Sequence, residues 1–178
     1  ITADISTTYS NINLHYYGHA ISVEFQNSVI ETIPDILFDY MLNIRYLKAV
    51  NSSISTINMS FTKPLPLVYL NLATNKITNL SSFIFKKVPS LNEIYLSNNI
   101  IRTIYENAFY GLSELKKLDL SYNLIKELDQ DLFKDLINLQ VIILNGNNLQ
   151  IIDDNLFSNC KKLIILELDN NDITYFNN

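Results

Sequence analysis

The stretch Leu115–Leu136, LKKLDLSYNLIKELDQDLFKDL, decides the fold. It reads L-x-x-L-x-L-x-x-N-x-I-x-x-L-x-x-x-L-F-x-x-L, and the same frame returns 24 residues away on either side, opened by Leu67, Leu91, Leu115, Leu139 and Leu163. A fixed period in this range is the signature of a solenoid, in which each unit is too small to bury its own apolar face and is completed by its neighbours.

Numbering the opening Leu as position 1 assigns a physical task to each place. Leu118 and Leu120 flank Asp119 with period two, so this piece is a short strand with one buried face. Lys117, Asp119 and Ser121 are expected to point the other way, into solvent. Asn123, at position 9, carries an amide that both donates and accepts, as a chain leaving a strand requires. Stacked copies predict a ladder of Asn75, Asn99, Asn123, Asn147 and Asn171. Ile125 and Leu128 belong to the return path, and Phe133 to a convex aromatic spine with Phe85, Phe109 and Phe157.

Working outward, residues 67–90, 91–114, 115–138 and 139–162 are regular repeats, and 163–178 hold part of another. Residues 20–43 fit with Ser28 in place of the ladder Asn and with Leu37 and Phe38 on the convex side. Residues 44–66 run one residue short, with Ser52 for the Asn and Phe61 one place early for the spine; Pro64 and Pro66 stiffen their return loop. Residues 1–19 leave the frame and are read as an N-terminal cap of extended strands, the solenoid occupying 20–178. The partial repeat from Leu163 is expected to leave Leu166, Leu168 and Ile173 open, to be covered by further chain, a partner or a second copy.

The chain has 178 residues, 48% of them hydrophobic, enough for one solenoid unit, and it starts at Ile1, which reads as a processed or trimmed protein. No apolar run approaches the roughly 20 residues needed to span a bilayer. The net charge of −5 argues against nucleic acid or an anionic membrane as partner. It is uneven: residues 1–90 sum to +1 and residues 91–178 to −6. There is no Gly-rich phosphate loop, no HExxH and no nucleophile elbow, so neither an enzyme nor a cofactor is expected. His15 and His19 stand four apart, but among Tyr and Gly that read as extended rather than helical, which is not ligand spacing. Cys160, the single cysteine, falls at position 22, where Val88, Leu112 and Leu136 stand, and is read as a buried apolar thiol. Asp129 with Asp131, and Asp153 with Asp154, form an acidic ridge on the return side, with calcium through carboxylate oxygens as the other reading.

Three glycosylation sequons, at Asn51, Asn58 and Asn79, lean towards a secreted origin. The outward positions of the strands carry two groups that core burial does not demand. Tyr46, Tyr69 and Tyr95 form one strip, with Tyr122 beyond it; Val141, Ile143 and Ile165 form an apolar group further on. Exposed Tyr suits a protein interface, although Tyr and Ile are also good strand formers. Tyr46, Tyr69, Tyr95, Tyr122, Ile143 and Ile165 are the candidate partner-binding residues.

The period, the spine Phe and the ladder Asn together resemble the extracellular, typical-type leucine-rich repeats of animal receptors and secreted proteins. That resemblance implies an α/β fold: a right-handed solenoid with a parallel concave β-sheet and an irregular or short-helical convex side. The stretch VEFQNSVIETIPDILFDYMLNIRYLKAVNSSISTI, with its Ser-for-Asn departures, is similar to the secreted leucine-rich immune proteins of mosquitoes. Membership there implies innate immunity and a complement-like thioester protein as partner. Toll-like receptor ectodomains and neuronal adhesion proteins fit the repeats nearly as well. The expectation is a non-catalytic extracellular protein-binding module acting through its concave face. The alternatives are a structural or adhesion module that self-associates at its C-terminal end, or a receptor ectodomain fragment.

Overall fold

In this computed structural model, residues 12–17, 19–25, 28–34, 38–39, 41–59 and 62–177 are described. Outside them fall most of the N-terminal cap, the concave positions Gln26 and Asn27, Leu37, and the displaced spine residue Phe61.

The parallel strands of the main sheet appear where the period-two alternation sits in each repeat, and further strands lie in the cap and on the convex side. In chain order the strands are β1 (Ile12–Tyr17), β2 (Ala20–Phe25), β3 (Ile44–Lys48), β4 (Tyr69–Asn71), β5 (Asn79–Leu80), β6 (Glu93–Tyr95), β7 (Thr103–Ile104), β8 (Lys117–Asp119), β9 (Val141–Ile143), β10 (Ile151–Asp153), β11 (Ile165–Glu167) and β12 (Tyr175–Asn177). One sheet runs β1-β2-β3-β4-β6-β8-β9-β11. From β2 onward all neighbours are parallel, so seven parallel strands are joined by six turns of the solenoid. β1 is the exception: it folds back antiparallel on β2, with His15 opposite Ser22, and occupies the N-terminal edge of the sheet. The register slips by one residue between β2 and β3, where Ile21 faces Ile44 and Ser22 faces Tyr46. The convex side is made of turns and two small parallel ladders, β5 with β7 and β10 with β12.

The core lies between these layers. In the third repeat Leu67, Leu70, Leu72 and Ile77 have no exposed surface, and neither do Leu115, Leu118, Leu120 and Ile125 two repeats later. Each such side chain contributes on the order of 1.5–3 kcal/mol. Phe85, Phe109, Phe133 and Phe157 stack along the convex side with centroids 5.9, 5.9 and 5.6 Å apart. Cys160 is buried at position 22, 3.8 Å from the Phe133 carbonyl, and burial pushes its thiol up to about 11.

The asparagine ladder joins consecutive turns. Asn123 Nδ2 donates to Leu120 O of its own repeat and to Leu96 O of the preceding one, each at 3.0 Å. Its Oδ1 accepts from Ile101 N, also in the preceding repeat, at 3.0 Å. Asn75, Asn99, Asn147 and Asn171 repeat the pattern. Each carbonyl at position 6 between Leu72 and Leu144 is therefore shared by two amides, its own and the next. Where Ser52 replaces Asn, the side chain turns back to Val50 O and the Ile30 N–H of the preceding turn bonds Ser52 O instead, at 3.0 Å.

Two features depart from the alternation. Ser121, expected in solvent, is 5% exposed, and Ser97 at the same place one turn earlier is 9% exposed; the N–H and the hydroxyl of Ser121 also bond Asp119 Oδ1, at 3.0 and 2.6 Å. The residue before the ladder position, Ser52 in one turn and Asn in five, is left-handed in six successive turns: Asn51, Thr74, Asn98, Tyr122, Gly146 and Asn170 have φ between 52° and 68°. This kink turns the ladder amide inward while the N–H at the kink still bonds the next turn, as from Thr74 to Ser97 O at 2.8 Å. Asn and Gly accept the conformation readily, whereas β-branched Thr does not.

Replacing Asn123 by Ala should lower the unfolding free energy by about 3 kcal/mol, since it orphans the buried Ile101 N–H while Leu96 O and Leu120 O keep their second amide. Urea denaturation followed by circular dichroism would measure this. Thr74→Asn should act in the opposite direction, raising stability by about 1 kcal/mol through relief of the left-handed strain; an unchanged or lower denaturation midpoint would show that Thr74 is not strained.

Candidate functional site: the concave face

Parallel pairing without further slips lines up the outward side chains in rows across the sheet. One row reads Ser22, Tyr46, Tyr69, Glu93, Lys117, Val141, Ile165. Its neighbour reads Glu24, Lys48, Asn71, Tyr95, Asp119, Ile143, Glu167. Seven strands at about 4.8 Å extend each row over roughly 30 Å.

The structure brings Tyr46, Tyr69 and Tyr95 together. Tyr46 and Tyr69 face each other in register, with ring centroids 6.3 Å apart. Tyr95 lies in the second row and leans diagonally onto Tyr69, at 5.4 Å. The three are not equivalent. Tyr46 is 42% exposed, whereas Tyr69 and Tyr95 are half-buried. Tyr69 Oη accepts from Asn71 Nδ2 at 3.1 Å. Tyr95 donates its hydroxyl to Glu93 Oε2 at 2.7 Å, and the Lys117 ammonium lies 5.0 Å from its ring centroid. Burial, with the Glu93 carboxylate beside it, holds the Tyr95 phenol well above the usual range, so it stays a neutral donor. At the N-terminal end Lys48 pairs with Glu24 at 2.7 Å, which raises the lysine further.

The other candidates lie apart from the strip. Val141 and Ile165 are paired on β9 and β11, with Ile143 diagonal to Ile165. Tyr122 sits at the rim, 54% exposed. Its ring rests on Gly146: a Cβ there would come 2.6 Å from Tyr122 Cδ1, so the close approach calls for glycine at a left-handed turn that other residues occupy in the neighbouring repeats. Glu93, Lys117 and Asn71, which tie down the tyrosines, were not singled out from sequence. The opposite charges of Glu93 and Lys117 at position 3 of adjacent repeats were the available signal.

The sequons are spread over two faces. Asn51 is exposed at the concave rim in a left-handed turn, and Asn79 is exposed in β5. Asn58 is half-buried and borders a groove of about 540 Å³ on the return side, between Glu31, Thr56 and Phe83. Asp129 and Asp153 each accept from the backbone N–H two residues on, at 2.8 Å, so the ridge residues shape convex turns. No group of three or more acidic, His or Cys residues fit to hold a metal occurs among the described residues. No helix there is long and apolar enough to cross a membrane.

No curated protein matches the sequence. Among solved structures 245 chains do, one of them in the crystal structure of a TLR13–ssRNA13 complex. The likeness to that structure has a TM-score of 0.67 at 23% identity and covers 82% of this chain but only 25% of that one. At this identity it is a likeness of fold. The family model described as Leucine rich repeat matches residues 66–125 and 113–173, the greater part of the chain. With the asparagine ladder and parallel sheet in those same residues, the chain belongs to the leucine-rich repeat family.

Proposed function

We propose that this domain binds a protein on its concave face, outside the cell, in innate immune recognition. The observation that carries the reading is the pre-stacked tyrosine strip. Tyr46, Tyr69 and Tyr95 are absent from the core, yet two of them are held in place by Asn71, Glu93 and Lys117. Side chains already ordered lose little entropy on binding, and Tyr is prominent among interface residues that carry most of the energy. A patch of roughly 800 Å² per partner fits a face of this length. The three sequons support an extracellular setting, and a glycan on Asn51 would limit approach from that rim. The ssRNA13 ligand belongs to TLR13; here the net charge of −5 favours a protein over an RNA. The complement-like thioester protein implied by the sequence resemblance is the first partner to assay.

A second reading, self-association at the C-terminal end, draws on the outward apolar pair Val141 and Ile165 of β9 and β11. Light scattering over a concentration series separates the two, because only self-association raises the mass of the isolated domain.

Replacing Tyr46 and Tyr69 together by Ala should leave the melting temperature nearly unchanged and weaken capture of the thioester protein by about 1–2 kcal/mol or more. Surface plasmon resonance with both proteins checks this. Undiminished capture would move the interface off the strip, and binding of a single-stranded RNA in its place would overturn the protein reading.

A further inference from the structure

We infer that the C-terminal half of the concave face is a seat for an arginine side chain presented between aliphatic residues on an extended segment of another protein. The inference rests on the concave-face reading and names the chemistry of the partner. Three observations meet there.

The first is a row. Asp119, Ile143 and Glu167 lie side by side on β8, β9 and β11 in register. Adjacent strands stand about 4.8 Å apart, so the two carboxylates flank Ile143 with about 10 Å between their backbone positions. The second is the absence of a cation between them. The described residues hold one ion pair, Lys48 with Glu24, at the far end of the sheet. The cation nearest in the register, Lys117, is turned away over the Tyr95 ring, and the Asp119 contacts are to the Ser121 N–H and hydroxyl. The third is the floor. Val141 and Ile143 are half-buried and Ile165 is 44% exposed, an apolar strip that the core does not use.

These features select arginine. Its planar guanidinium has donors on more than one edge and bridges two carboxylates, where an ammonium is a point charge with a tighter hold on water. A guanidinium laid over Ile143 reaches towards Asp119 on one side and Glu167 on the other. Its methylene stem covers the isoleucine, and aliphatic neighbours in the same segment settle on Val141 and Ile165. The excess negative charge of residues 91–178 steers such a segment to this half of the face.

The test uses the peptide acetyl-Leu-Arg-Leu-amide and its citrulline counterpart, which keeps the shape and loses the charge. Each is titrated into the isotope-labelled protein while backbone amide shifts are recorded. The arginine peptide should give saturable shifts centred on Asp119, Ile143 and Glu167, weakening as salt is raised, with the citrulline peptide at least about tenfold weaker. Asp119→Asn combined with Glu167→Gln, which changes charge and little else, should bring the arginine peptide down to the citrulline level. Should that variant fold poorly, the peptide comparison on the unaltered protein decides alone. Equal shifts from both peptides, no saturable shift, or shifts clustered elsewhere would each overturn the inference. Tyr46→Ala with Tyr69→Ala separates it from the reading on which it rests. That change should leave the peptide titration as it was, so loss of peptide binding alone, with tyrosine-dependent capture of a protein partner intact, counts against the arginine seat only.

Discussion

Everything in this molecule depends on a hydrogen bond that crosses from one turn of the chain to the previous one. The amide of each ladder asparagine donates to two position-6 carbonyls, one in its own turn and one in the turn before, and accepts an N–H from the earlier turn. Because each shared carbonyl receives two such amides, the ladder is continuous from Ala49 to Leu168. Buried backbone groups at a strand end cost about 1–3 kcal/mol each if left unmet, and here a side chain meets them without interrupting the sheet. The left-handed residue before each ladder position makes this possible by turning the amide inward.

The functional surface follows from that constraint. Turns tied at one fixed place hold the strands in register, and register puts position 3 beside position 3 and position 5 beside position 5. Tyr46 then meets Tyr69, Glu93 meets Lys117, and Ile143 falls between Asp119 and Glu167. The core is nearly the same in every repeat, so it carries no information about a partner. The rows do carry it, changing from aromatic at one end to acidic and aliphatic at the other. A likeness of fold to a receptor chain that holds RNA therefore says nothing about what this face holds; its own residues decide that.

What could be read from sequence was whatever the period imposes on every copy. The buried leucines, the phenylalanine spine, the ladder and the parallel sheet all recur in phase, and the structure has them. The buried thiol of Cys160 was readable for the same reason, by its place among Val88, Leu112 and Leu136. What was not readable depends on single side chains. Ser97 and Ser121 look like surface residues by alternation, yet both are buried beside the left-handed residue that follows each of them. Thr74 and Tyr122 give no hint of a left-handed backbone, because the kink belongs to their place in the repeat rather than to their own preference. The direction of the Lys117 side chain, which leaves Asp119 without a cation, is a rotamer choice between two neighbours, and no spacing encodes it.

Amide hydrogen exchange tests the central claim most directly. The N–H groups of Ile77, Ile101, Ile125 and Leu149 lie outside the sheet and have as acceptors the side-chain oxygens of Asn99, Asn123, Asn147 and Asn171. If the ladder is what joins the turns, Ile77, Ile101 and Ile125 should exchange as slowly as the central strand amides of Ile94 and Leu118. Exchange of those three at the rate of exposed convex-turn amides, with the strand amides still protected, would contradict the account and leave apolar stacking alone to hold the turns together.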